Sequence, residues 1–94
     1  MPQDFQETAR LKWKFQVKDS RGSFDAHSSP TVADSVVYIN CGHNDLCAID
    51  AKNGREKWPF NTGSKILSSP AVADDVVYVG SDDGYLYAIE RTTQ

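Results

Sequence analysis

Apolar positions along this chain come in short runs broken by Asp, Asn, Gly and Ser, and nowhere do they recur at helical spacing. Val36-Val37-Tyr38-Ile39 and Val76-Val77-Tyr78-Val79 are β-branched and aromatic, too short for helices, and predict strands. Ahead of each lies a brief run, Thr31-Val32-Ala33 or Ala71-Val72-Ala73. Each run is opened by Pro30 or Pro70 and closed by Asp34 or by Asp74-Asp75. Proline is tolerated at a strand's first position, and aspartate marks the turn. Gly42-His43-Asn44 and Asp82-Asp83-Gly84 supply hairpin chemistry before Leu46-Cys47-Ala48-Ile49 and Tyr85-Leu86-Tyr87-Ala88-Ile89. Beyond the Asn53-Gly54 turn, Glu56-Lys57-Trp58-Pro59-Phe60 predicts a fourth strand, matched earlier by Leu11-Lys12-Trp13-Lys14-Phe15. Pro59 would break a ladder on both sides, so this strand belongs at an edge. The pattern is all-β.

The elements also repeat. A shift of 40 residues carries 28–50 onto 68–90 without a gap, preserving Ser-Ser-Pro, Val-Ala-Asp, Val-Val-Tyr, Leu and Ala-Ile. Four short strands at that period are the signature of a propeller blade, and continuous apolar strands fit sheets covered on both faces. The connector after Trp13 is five residues longer than the one after Trp58, which places the extra length in a surface loop, a candidate contact point on one face of a ring.

Ala48, Asp50, Asn53, Gly54 and Trp58 follow the pattern Ala-x-Asp-x-x-Thr-Gly-x-x-x-Trp, with Asn for Thr. In this the chain resembles the pyrroloquinoline quinone-type β-propeller repeat family, whose tryptophan-docking motif this is, and residues 68–90 are similar to its three inner strands. The resemblance implies that Trp58 packs flat between neighbouring blades, against Ala48 and the glycine turn of the adjacent unit. A flat indole needs a small alanine and bare glycine backbone to stack closely. Two further copies of the motif are partial. Ala88, Glu90 and Thr93 stand near one end, and Thr8, Ala9 and Trp13 near the other.

The layout reads as residues 1–10, an N-terminal segment; 11–60, a first repeat with a preceding outer strand; and 61–94, a second repeat lacking its outer strand. One of the two four-stranded units is thus split between the termini. Two blades cannot close a ring, because propellers take 4–8. Either the chain is a piece of a longer propeller, or copies assemble head to tail, a heterologous contact that closes when the rotation per chain divides a circle. Ring assembly is the favoured expectation, a homo-oligomer made by strand complementation between Lys12, Trp13 and Phe15 of one chain and Leu86 and Ala88 of the next.

Charge changes the picture little. The 94 residues carry 10 Lys plus Arg against 13 Asp plus Glu, a net charge of −3, which argues against nucleic-acid partners and a polybasic membrane patch. No run is long and apolar enough for membrane insertion, and MPQDFQETARLKWKF lacks the basic-then-apolar pattern of a secretory signal. Cys41, His43, Asp45 and Cys47 surround one hairpin tip. Zinc wants about four convergent ligands, and the preferred reading is a turn with two half-buried thiols, with a disulfide across the hairpin as an alternative. Asp82-Asp83-Gly84 with Glu90 fails as a calcium loop because Val79 stands at the first ligand position. His27-Ser28-Ser29 has no third member for nucleophilic catalysis, and Ser68-Ser69 recurs without a histidine, so the serines are expected to bond backbone. The expectation is therefore a non-enzymatic scaffold for protein or ligand binding, with no cofactor. The family resemblance supplies the alternative, a fragment of a quinone-dependent alcohol or sugar dehydrogenase using pyrroloquinoline quinone and calcium.

Overall fold

A computed structural model of the chain describes residues 8–17 and 29–91. Within them, β1 (Thr31–Ala33), β2 (Val36–Asn40), β3 (Asp45–Asp50) and β4 (Glu56–Asn61) form one antiparallel sheet in chain order. The second sheet contains β5 (Ala71–Ala73), β6 (Val76–Gly80) and β7 (Leu86–Glu90), also in order. Both are the meanders read from the sequence, and β4 with its Pro59 is an edge strand.

No closed ring is formed by the two sheets. Among the described residues the second sheet has three strands, and Leu11–Phe15 joins no ladder. The described residues thus form an open pair of sheets.

Each inner hairpin turns on two residues in the left-handed region, Asp34 (φ 52°) with Ser35 (φ 65°) and Asp74 (φ 50°) with Asp75 (φ 66°). Ala33 faces Val36 and Ala73 faces Val76 across these turns, the two-residue geometry whose twist matches that of the strands. Aspartate tolerates this backbone better than most side chains.

Strand alternation divides the residues between faces. Tyr38, opposite Ala48, and Leu46, opposite Asn40, point from the first sheet toward the second. Val77, opposite Ile89, and Val79, opposite Tyr87, point back, and these side chains form one core. Leu46 is fully buried; enclosing a leucine side chain stabilises by roughly 1.5–3 kcal/mol relative to leaving it in water. Ile66 of the connector drops into the same core and bridges Ser81. At the inner strands Ser29 N–H donates to Ser69 Oγ at 2.9 Å and Thr31 Oγ1 donates to the Pro70 carbonyl at 2.5 Å. Among the described residues no helix is long and apolar enough to cross a membrane.

Candidate interaction edge and docking site

Residues Asp50 to Arg55 make a tight turn that builds a platform. Asp50 Oδ1 accepts from Lys52 N–H at 2.8 Å, Gly54 N–H donates to the Asp50 carbonyl at 2.8 Å, and Asn53 Oδ1 accepts from Arg55 N–H at 2.9 Å. Gly54 sits at φ +76°, and a Cβ there would lie 2.7 Å from the Trp13 ring. The indole of Trp13 therefore lies directly on bare backbone, and its Nε1–H donates to the Ala51 carbonyl at 2.9 Å. The ring on this turn is that of Trp13. Trp58 instead stands opposite buried Ala48 in the β3–β4 ladder, with its ring 6.0 Å from that of Tyr38.

Trp58 also borders the equivalent position on the second sheet. Together with Pro59 and Phe60 it lines a groove of about 410 Å³ whose other wall is Ala88, Ile89 and Glu90. Segment 11–15 thus flanks the first sheet much as β4 flanks the second. Lys12 is exposed, and Trp13 and Phe15 are half-buried. On β7, Leu86 and Ala88 are exposed, and among the described residues the strand has one ladder partner, β6.

A second cluster joins the sheets. The Arg91 guanidinium donates to the Tyr38 hydroxyl at 2.8 Å and to Asp75 Oδ1 at 3.0 Å, and it pairs with Asp34 as well. The Tyr38 hydrogen bond, then the Asp34 carboxylate, hold its pKa above the ordinary arginine value. Sequence reasoning missed Arg91. The available signal was its place 40 residues after Ala51, just behind two aspartate turns and a tyrosine.

At the first hairpin tip the expectation of two thiols is corrected: Cys41 and Cys47 form a disulfide, with Cα atoms 5.8 Å apart. Cys41 N–H bonds the Asp45 carbonyl, so Cys47 lies diagonally across on the same face, within bridging range. Both sulfurs are thereby withdrawn from metal ligation. Among the described residues no three His, Cys, Asp or Glu side chains gather to hold a metal. In the second tip the equivalent pair is Ser81 and Tyr87, and the Tyr87 hydroxyl donates instead to Asp83 Oδ2 at 2.6 Å. That bond lowers the Asp83 pKa and raises that of Tyr87. Ser68 Oγ accepts from Gly80 N–H at 2.7 Å, so Ser68 and Ser69 both bond backbone. His27, Ser28, Thr93 and most of the longer connector lie outside the described residues.

The family model described as outer membrane protein assembly factor BamB matches residues 4–94. The description is that of an assembly factor. No curated protein matches the chain.

Proposed function

Because the chain belongs to the family of the outer membrane protein assembly factor BamB, we propose that it is a non-enzymatic propeller-repeat scaffold that assembles head to tail with its own copies and presents the resulting surface to protein partners. One observation carries this reading. Among the described residues the β7 edge has no outer strand, while Leu11–Phe15, which shares Lys-Trp-x-Phe with β4, has no ladder of its own. In the first sheet the corresponding positions are paired, β3 with β4. Segment 11–15 of one copy is thus the outer strand that β7 of the next copy lacks. Unpaired strand edges are strong association sites, and a repeat derives stability from neighbouring units. The Cys41–Cys47 bridge further supports folding in an oxidising compartment.

Solution mass by light scattering tests the reading. The expected result is a multiple of 10.4 kDa; a folded monomer at high concentration overturns it.

A further inference from the structure

The internal repeat places identical side chains in two different environments. Tyr38, Leu46 and Ala48 line the face of the first sheet that packs on the second, and all three are buried. Their counterparts Tyr78, Leu86 and Ala88 line the outer face of the second sheet. There Leu86 is 69% exposed and Ala88 is exposed. The reverse holds in part for the opposite faces, where Ile49 and Cys47, the counterparts of Ile89 and Tyr87, are buried as well and the exposed part is the remainder. Val72, Val77 and Val79 pack into the core, whereas their counterparts Val32, Val37 and Ile39 lie on the outer face of the first sheet. Val32 is 64% exposed, and Val37 and Ile39 are half-buried.

The molecule therefore carries both halves of its own inter-sheet contact a second time, on opposite sides. From this we infer that the outer face of the second sheet docks on the outer face of the first sheet of another copy, reproducing between chains the packing seen within one. The inference rests on the self-assembly reading and assigns its contact surface. The position of Trp13 agrees with it. Its ring lies on the Ala51–Gly54 turn at the flank of the first sheet, so segment 11–15 is already held where an incoming β7 would find it. Strand addition and face packing then complete one junction. The occupant is a second copy because Val32, Val37 and Ile39 repeat the valine face that covers Tyr38 and Leu46 inside the chain.

Such a junction is heterologous, which makes complementation a strict test. Leu86→Glu spoils one face and Val32→Lys the other. Each residue is well exposed, so the substitutions leave the core intact, and circular dichroism with the gentler Leu86→Ser and Val32→Ser checks this. Light scattering should show the wild type associated, each variant alone at monomer mass, and an equimolar mixture of the two variants forming pairs that grow no further. Variants that associate like the wild type overturn the face assignment while self-assembly stands. Variants that stay monomeric even when mixed also overturn it. A monomeric wild type overturns the self-assembly reading and the face assignment with it.

Discussion

At Gly54 one missing methyl group decides whether an indole can rest on the backbone. The residue has φ +76°, and a Cβ would approach three ring atoms of Trp13 to 2.7–2.8 Å, well inside contact distance. Gly54→Ala therefore incurs backbone strain and steric overlap together, a loss of about 1–3 kcal/mol. In a Trp58→Phe background, which leaves Trp13 as the sole indole, the substitution should lower the melting temperature and shift Trp13 emission to the red. Unchanged emission would show that the ring does not lie on this turn. The sequence revealed the platform, since the Asp50, Asn53 and Gly54 spacing is specific. The resemblance assigns a tryptophan to the glycine turn of the adjacent unit, and the ring on Gly54 likewise comes from outside its own sheet, from the segment ahead of it. That the segment carrying Trp13 lies on this turn is a matter of the spatial order of the sheets, which the local motif does not contain.

At the scale of elements, the first hairpin tip does more than reverse the chain. Its carbonyls hold the connector between the sheets: Asn44 accepts from Thr62 N–H at 2.9 Å, and His43 accepts from Ile66 N–H at 2.7 Å. Ile66 is in turn part of the core. The Cys41–Cys47 disulfide braces that tip, so its effect reaches the seam between the sheets. By loop-closure entropy, the short ring it closes contributes about 2 kcal/mol. Replacing both cysteines by serine should remove roughly that amount in denaturant unfolding. Amide exchange should also quicken at Thr62 and Ile66, and unchanged exchange there would separate the bridge from the connector. The strands themselves were legible because β-branched runs, aspartate turns and Pro59 each have one local solution. The disulfide was not, because Cys-x-His-x-Asp-x-Cys fits thiols, a metal or a bridge until the hairpin register brings the two cysteines together diagonally. The second tip uses Asp83 and Tyr87 in place of the bridge, which shows the position to be one of bracing rather than of shared chemistry.

At the scale of the whole molecule, the contact between the two sheets and the proposed junction between copies differ in one polar feature. Within the chain, Arg91 reaches across the seam to Tyr38 and Asp34 of the first sheet while holding Asp75 of its own. Its backbone N–H bonds the Asp75 carbonyl at 2.9 Å, as Ala51 N–H bonds the Ser35 carbonyl at 2.9 Å, so the two positions are structurally equivalent. At the proposed junction between copies the residue in this place would be Ala51, and the side chains corresponding to Tyr38 and Asp34 would be Tyr78 and Asp74 of the neighbouring chain. The proposed junction would thus have the apolar faces and the strand edge but no arginine clamp, and association through it should be weaker than the internal contact and dependent on concentration. Ala51→Arg should supply the clamp, with a charge-assisted bond to Asp74 and a second bond to the Tyr78 hydroxyl. Dilution light scattering should then show association tighter by about tenfold or more. Adding Asp74→Asn should return part of that gain. If Ala51→Arg leaves the dissociation constant unchanged, the junction between copies does not follow the geometry of the junction within the chain.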